Sequence, residues 1–280
     1  MLLPKTERGD YLNRFLHVGK SDVYERDIAV MKKFREDYYR IVLHRVLRKA
    51  GFEEENSKGK KNTANSSAKF DSSISRTKSR IFELAMCNDW KYFTTMTLNK
   101  EIHDRKDLIG FKKKLSKWLN NYNRLNEIEI KYLLIPEQHK DKSWHMHGLI
   151  MGLPKQQLTE FTMQDKLPLK ILEKIRKGIK VFNWKKYAKA FGYISLEEIR
   201  NAESISKYMT KYITKEMMKT RIDLNDHLYY CSKGLKRAEV IYKSHLRKDL
   251  IKPDFENEYV KTKNVTTYEE AISYFTDSDE

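Results

Sequence analysis

Two short apolar segments, residues 129–137 and 144–152, are separated by the polar residues 138–143. Segments of this length match strands, and the polar stretch between them suits a turn, so we expect an antiparallel pair. Because side chains alternate between the two faces of a strand, this pairing decides which residues lie side by side. Pro136 has no backbone N–H to donate, and its position in the first strand indicates a bulge or a sheet edge.

The segments around this hairpin alternate between strand and helix patterns. Residues 91–98 are rich in aromatic and β-branched side chains and predict a strand. Asp107 stands in the N-cap position of a predicted helix, whose apolar stripe is Leu108, Phe111, Leu115, Trp118, Leu119 and Tyr122. The later patterns predict mixed helical structure at 158–179, a helix or short turn at 195–199, a helix at 204–219 and a strand at 238–243. The order β-α-β-β-α-β predicts an α+β fold of the ferredoxin-like type, an antiparallel β-sheet with helices on one face.

The ends of the chain differ in pattern from the middle. Apolar residues recur at helical spacing from residue 22 to residue 50, which predicts a long amphipathic helix that stops at Gly51. Residues 53–75 are mostly Glu, Lys, Asn and Ser, a composition that predicts a polar linker or mobile loop. We therefore expect an N-terminal helical segment in residues 1–52, a linker in 53–75, a compact domain in 76–263 and an acidic tail in 264–280.

The charge of the chain indicates the kind of partner it binds. It has 56 Lys and Arg against 39 Asp and Glu, a formal charge of +17, and removing the five acids of residues 264–280 leaves +22 on the rest. Such a surface fits a polyanion, although a Lys-rich composition that only maintains solubility is the alternative. No apolar run is long enough for a membrane span or a signal peptide, and two cysteines cannot build a disulfide framework or a four-cysteine zinc site. We expect a cytoplasmic protein that does not bind membranes.

The hairpin carries a possible metal site. His145 and His147 are two residues apart, so on a strand both imidazoles project from the same face. The turn brings Glu137 onto the neighbouring strand within reach of them, with His139 as a reserve ligand. Two imidazoles and one carboxylate can hold a divalent cation and leave positions open for water and substrate. The alternative is a pair of surface histidines on a hairpin without a metal.

The second informative stretch is residues 204–219. Tyr208 and Tyr212 are four residues apart, so on a helix their hydroxyls point the same way, and Lys211 and Lys215 each follow a tyrosine by three residues. Lys207, Lys211 and Lys215 form a row of like charges, which is easier to understand if a phosphate chain lies against it. The alternative is a core-facing stripe with the phenols at its rim.

Together the two stretches suggest a centre for DNA transesterification. A metal makes phosphorus attackable, a tyrosine hydroxyl supplies the nucleophile, and a lysine beside the phenol favours its ionised form. Further contacts to DNA are expected from Lys207, Trp144 and the basic residues Lys233, Lys236 and Arg237 of the segment 232–237. Trp184 and Tyr187 fit either base stacking or the core.

These motifs resemble those of the HUH endonucleases, and among them the two-tyrosine rolling-circle replication initiators of plasmids and phages. Residues 93–97 look like the structural first-strand motif of that family, and His145-Met-His147 matches its histidine–hydrophobic–histidine metal motif. Glu137 stands where many members carry an acidic ligand, and residues 208–215 resemble the two-tyrosine catalytic motif. The three motifs occur in the family's order, and the resemblance covers roughly residues 76–243.

The resemblance implies a metal-dependent endonuclease that nicks single-stranded DNA at a replication origin and rejoins it. It implies a 5′-phosphotyrosine intermediate, a free 3′-OH, Mg²⁺ or Mn²⁺ as cofactor, and either one or both tyrosines as nucleophiles. No G-x-x-x-x-G-K-[ST] motif occurs, so strand separation would need a separate or host helicase, and synthesis a polymerase. The alternative is a non-catalytic single-stranded nucleic-acid-binding domain, because the same fold order serves RNA recognition modules, which stack bases on sheet aromatics such as Tyr92 and Phe93.

Overall fold

In a computed structural model of the protein, the described residues are 24–45, 48–49, 67–201, 203–209 and 228–275. They belong to two compact units, one comprising Met1–Thr63 with Ala238–Glu280 and the other comprising Ala64–Arg237. Both units combine antiparallel strands with helices, so the predicted α+β class is confirmed. None of the helices in the described ranges combines the length and apolarity needed to cross a bilayer.

The unit Ala64–Arg237 is built on a seven-stranded antiparallel sheet. Its strands in spatial order are β11 (Tyr230–Cys231), β6 (Lys131–Gln138), β7 (Trp144–Met151), β5 (Tyr92–Thr97), β10 (Ile194–Glu198), β9 (Val181–Asn183) and β8 (Thr159–Glu160). The predictions of strands at 91–98, 129–137 and 144–152 are confirmed. Pro136 lies in β6 beyond the stretch that β11 pairs, which covers only Leu133 and Leu134, so the missing N–H leaves no ladder bond unmade there.

The described part of this unit contains five α-helical segments. They are α1 (Ser67–Cys87), α2 (Leu108–Asn126), α3 (Leu169–Arg176), α4 (Lys185–Ala190) and α5, described over residues 203–209. The predicted cap of α2 is confirmed, because the Asp107 side chain accepts a hydrogen bond from the Gly110 N–H at 2.8 Å. Pro168, which interrupts the helical pattern of 158–179, directly precedes α3.

The prediction of helices on one face of the sheet is wrong, because helices cover both faces. On the first face, Tyr92, Met96 and Ile150 pack against a cluster that includes Phe111 and Leu115 of α2. We call the opposite side the hairpin-histidine face, because it carries His145 and His147. There the sheet residues Leu133, Ile135 and Leu149 pack with residues of α1 and α5, namely Ile81, Leu84, Ala85, Ile205 and Met209.

The prediction that residues 195–199 form a helix or turn is also wrong. This segment lies in β10, which pairs with β5 on one side and with β9 on the other. Ser195 followed by Glu198 imitates the capping box of a helix, but Leu196 and Ser195 are buried between the neighbouring strands. A five-residue strand is too short for its periodicity to decide between the two structures.

The other unit contains a five-stranded antiparallel sheet and a short helix. The strands in spatial order are β12 (Glu239–His245), β2 (Ile28–Arg35), β3 (Tyr38–His44), β14 (Val260–Val265) and β13 (Phe255–Glu256), and the helix is α6 (Tyr268–Ile272). Two further short strands, β1 (Tyr24–Glu25) and β4 (Arg48–Lys49), pair with each other.

The predicted helix over residues 22–50 is therefore wrong where the structure describes it. The segment is rich in β-branched and aromatic residues, and Glu36 and Asp37 form a turn in its middle. β2 and β3 pair across this turn with a register shift between Lys33 and Arg35, which lets apolar positions at helical spacing still reach one sheet face.

The predicted boundaries differ from those of the two units. α1 begins at Ser67, inside the predicted linker 53–75. The predicted strand at 238–243 exists as β12, but it pairs with β2, so residues 238–263 are not part of the unit that carries the hairpin. The predicted tail 264–280 contains the end of β14 and α6, and its residues Val265, Ala271 and Phe275 are buried.

Candidate active site

The β6–β7 hairpin brings three potential metal ligands together. Glu137 lies directly opposite His145 in the antiparallel register, and His147 follows two residues later on the same face. The turn is closed by the His139 N–H, which donates to the Ser143 carbonyl oxygen at 2.8 Å. The prediction that this turn places Glu137 beside the two imidazoles is confirmed.

Both imidazoles direct Nε2 at the same carboxylate oxygen. His145 Nε2 is 2.5 Å and His147 Nε2 is 2.8 Å from Glu137 Oε2, and one ligand atom from each residue lies within 4.8 Å of the others. Two imidazole nitrogens and a carboxylate form a donor set that suits a divalent cation and leaves coordination positions for other oxygens. The three residues therefore fit a divalent metal, whose identity this donor set leaves open.

Thr95 fixes the orientation of one of these imidazoles. It is the register partner of His147 on β5, and its Oγ1 lies 3.0 Å from His147 Nδ1. If Nδ1–H donates to this oxygen, the lone pair of Nε2 faces Glu137, as metal binding requires. Burial is the main cause that lowers the pKa of His147, and the hydrogen bond from Glu137 opposes it, so the imidazole favours its neutral, ligating form.

His139, the reserve ligand of the sequence prediction, contacts the site from the turn. Its ring centroid is 4.0 Å from that of His145, and the three-ligand group of the described residues does not include it. His145 is 3% exposed, and its Nδ1 has no hydrogen-bond partner. His139 therefore covers the ring of His145 in this structure.

Tyr208 lies on the same side of the sheet as the metal ligands. Its ring meets Phe93 edge-on at 5.4 Å between centroids, and Phe93 in turn stacks beside His147 at 6.1 Å. On the same helix Met209 is buried, whereas Tyr208 is 48% exposed. The stripe of α5 is thus packed in the core at Met209, with the phenol of Tyr208 at its accessible rim.

Two carboxylates act on the Tyr208 phenol. Burial is the largest cause that raises its pKa, followed by the charges of Glu197 and then Glu137. The influence of Glu137 means that the phenol is close enough to the ligand cluster to sense its charge. A bound cation would oppose that part of the effect, because its charge has the opposite sign.

The remaining residues of the predicted two-tyrosine motif are only partly described. Tyr212, Lys211 and Lys215 lie outside the described residues. Lys207 is exposed on α5 and forms an ion pair of 2.6 Å with Glu203, one helical turn before it.

Trp144 is next to His145 in sequence but on the other side of the sheet. Alternation along β7 puts it on the face of Met146 and Ile150, which belong to the first core cluster. Its backbone N–H donates to the Arg105 carbonyl oxygen at 2.8 Å. The structure therefore does not bring Trp144 onto the face of the metal ligands. Trp184 and Tyr187 are fully buried, so they belong to the core.

The basic segment 232–237 is fixed at the far end of the hairpin. The Asn88 side chain accepts from the Lys236 N–H at 2.9 Å and donates to the Lys236 carbonyl oxygen at 3.0 Å, while Ser232 Oγ accepts from the Tyr132 N–H at 3.0 Å. Five residues of strand separate Tyr132 from Glu137, about 17 Å. Lys233, Lys236 and Arg237 are exposed there, and Arg237 lies 3.5 Å from Glu83, so these residues do not join the metal ligands.

Two functional features escaped the sequence interpretation. Thr95 was part of a strand motif read as structural, although the strand register with His147 would have identified it. The pair of Glu197 and Lys174 escaped because residues 195–199 were assigned to a helix or turn. Lys174 Nζ donates to both carboxylate oxygens of Glu197, at 2.6 and 2.9 Å.

The fold and site define an α+β protein with a candidate His₂Glu metal centre next to a tyrosine. Residues 91–217 match a family of replication-associated proteins, that of the ORF2 type. The matched segment is slightly less than half of the chain, and it runs from the start of β5 through the three ligands to the two-tyrosine stretch. The match supports a role of this protein in the initiation of replication. Searches among curated proteins and among solved structures gave no match.

Proposed function

We propose that the protein initiates rolling-circle replication by nicking and rejoining one strand of origin DNA. The observation that carries the proposal is the convergence of Glu137, His145 and His147 beside a half-exposed phenol, that of Tyr208, on one sheet face. The match of residues 91–217 to replication-associated proteins supports the biological setting.

The ligand set has a defined task in this proposal. Mg²⁺ or Mn²⁺ held by Glu137, His145 and His147 would withdraw charge from a non-bridging oxygen of the scissile phosphate and orient that bond. Thr95 keeps His147 in the tautomer with a free Nε2. The α1 and α5 side chains packed on this face exclude water from the floor of the site.

Tyr208 supplies the nucleophile. Its Oη forms a bond to phosphorus while the bond between phosphorus and the 3′ oxygen breaks. The phenol gives up its proton, and the departing 3′ oxygen takes up a proton to become the 3′-OH that primes synthesis. The 5′ phosphate stays on the tyrosine, so the energy of the phosphodiester is retained for rejoining. In the same proposal Tyr212 accepts the strand that closes a round, and Lys211 and Lys215 balance the developing negative charge.

Binding of the DNA strand requires contacts beyond the reacting phosphate. Lys207 is on the same helix as Tyr208 and is exposed, which suits a contact to a neighbouring phosphate. Trp144, Lys233, Lys236 and Arg237 remain proposed DNA contacts, at positions away from the ligands. Strand separation and synthesis are assigned to a separate or host helicase and a polymerase.

Covalent attachment tests the proposal directly. The purified protein is incubated with Mn²⁺ and labelled single-stranded oligonucleotides from a library that covers the replicon's origin region, then denatured and separated by gel. We expect a labelled adduct that Tyr208→Phe removes, with DNA binding preserved in a mobility-shift assay. Tyr212→Phe and the double variant decide whether one or both phenols react.

Two results would contradict the proposal. One is an adduct that persists in the double tyrosine variant. The other is wild-type protein that binds the oligonucleotides with and without chelator but never forms an adduct, which would favour the non-catalytic nucleic-acid-binding domain. Against that alternative, Tyr92 is 1% exposed in one core, and Phe93 packs in the other beneath Tyr208, so neither is presented for base stacking as in RNA recognition modules.

A further inference from the structure

Glu197 lies on the hairpin-histidine face, one strand away from the floor under Tyr208. In the register of β10 and β5 it is the direct partner of Phe93, whose ring carries the Tyr208 ring. Direct partners in an antiparallel pair have their side chains on the same face, close to each other. Phe93 is therefore flanked by Glu197 on one strand and by Leu149 on the other.

Lys174 neutralises this carboxylate. It extends from α3 and donates to both oxygens of Glu197 at 2.6 and 2.9 Å. The Glu197 side chain is 18% exposed and that of Lys174 is 39% exposed, so water screens the pair only partly. Neither residue belongs to the proposed ligand set or to the two-tyrosine stretch.

The pair matters because Glu197 acts on the phenol. Among the charges that raise the pKa of Tyr208, that of Glu197 ranks ahead of that of Glu137. A negative charge next to a phenol disfavours the ionised oxygen and therefore also the attack of that oxygen on a phosphate. The phenol thus stands between two carboxylates, and each needs a positive charge close by.

We propose that Lys174 is a positioning residue of this site, which keeps the charge of Glu197 compensated beside Tyr208 and so makes the phenolic oxygen a better nucleophile. The part that concerns reaction rate rests on the proposed function. The electrostatic part does not, because it concerns the ionisation of one side chain and can be measured on a protein that never meets DNA.

Other charges near the phenol stay constant in the test. Glu137 belongs to the hairpin, and Lys207 and Glu203 form their own ion pair on α5. Lys211 and Lys215, outside the described residues, are present in every variant. A double-mutant cycle on Lys174 and Glu197 therefore isolates the coupling of this pair to Tyr208.

The ionisation of residue 208 is read by ¹⁹F NMR in full-length protein with 3-fluorotyrosine incorporated at that position, titrated in the presence of Mg²⁺. We expect Lys174→Met to raise the midpoint by about half a pH unit to one pH unit, because it leaves Glu197 unpaired. Adding Glu197→Gln should return the midpoint close to that of wild type. Glu197→Gln alone should lower it, which keeps the test decisive if Lys174→Met does not fold.

Lys170→Met is the matched control. Lys170 is exposed one turn earlier on α3, and the same substitution there removes the same charge from the same helix. Its midpoint should equal that of wild type. An unchanged midpoint in Lys174→Met, or a shift that Glu197→Gln does not reverse, would overturn the inference.

Rates of adduct formation extend the test to catalysis. At neutral pH we expect Lys174→Met to slow attachment about threefold to tenfold, the factor that corresponds to the midpoint shift, with Glu197→Gln restoring the rate. If the rate falls, DNA affinity falls with it, and Glu197→Gln rescues neither, Lys174 acts by contacting phosphate and the inference is wrong. If wild type forms no adduct, the proposed function fails, while the NMR titration still decides the inference.

Discussion

The two faces of the seven-stranded sheet share the same strands but differ in what they carry. The first face is apolar, with Phe111 and Leu115 of α2 packed on Met96 and Ile150. The hairpin-histidine face is apolar only at one end, where Leu133 and Leu149 meet α1, and becomes polar toward the turn, at Glu137 and His145. Alternate residues of one strand therefore serve stability on one side and chemistry on the other.

This contrast is sharpest in adjacent residues. Thr94 is fully buried on the first face, and its Oγ1 has no hydrogen-bond partner, whereas Thr95 contacts His147 on the second. Substitutions on the first face should change the free energy of unfolding, and substitutions on the second should change metal binding and reaction. Four predictions, from the largest effect to the smallest, test that division.

Phe111→Ala should have the largest effect and should act on stability. Phe111 is 2% exposed, and its removal leaves a cavity between α2 and the sheet, at a cost of about 3–5 kcal/mol in the free energy of unfolding. Urea denaturation measures this loss. Below the lowered melting temperature, Mn²⁺ affinity should equal that of wild type, and a large loss of affinity would contradict the division of the two faces.

His147→Ala should have the opposite signature. It removes one of three ligands, and we expect adduct formation to fall about 100-fold or more, since loss of the metal forfeits several kcal/mol of transition-state stabilisation. Calorimetric titration with Mn²⁺ should show weakened or absent binding. The metal-free melting temperature should change little, and a protein that unfolds with this substitution would assign His147 to the core.

Thr95→Val should weaken metal binding without abolishing it. The variant keeps the shape of the side chain but removes the oxygen that orients His147 Nδ1, and loss of such a partner typically costs about tenfold to 100-fold in metal affinity. The matched control is Thr94→Val, the same change one residue earlier, which should leave Mn²⁺ affinity unchanged and stability equal or higher, because no hydrogen bond is lost. Equal losses in the two variants would refute the assignment of Thr95.

The sequence predicted the hairpin site because strand periodicity is a local property. Once 129–137 and 144–152 were taken as paired strands, alternation alone put Glu137, His145 and His147 on one face. Asp107 as a helix cap was predictable for the same reason, since a cap acts within three residues.

What the sequence could not predict depends on contacts between distant segments. Apolar residues at 28, 31, 34, 38 and 41 fit helical spacing, yet they lie in β2 and β3, because a turn and a register shift produce the same spacing. Glu197 was missed because a short strand held between two others looks like a capped turn. Its partner Lys174 comes from α3, whose docking no local pattern specifies.

The pH dependence of metal-free stability gives the smallest expected effect. The pKa of His147 is lowered from its ordinary 6.5, mainly by burial, and the pKa of His139 is lowered for the same first cause. Below pH 6.5 the unfolded chain therefore binds more protons than the folded protein, so stability is present above this pH and falls as the pH decreases. In EDTA we expect a loss of about 1 kcal/mol or less between pH 7 and pH 5, measured by urea denaturation. His147→Gln should make this slope shallower, and a slope that stays the same would mean that groups elsewhere in the chain cause it.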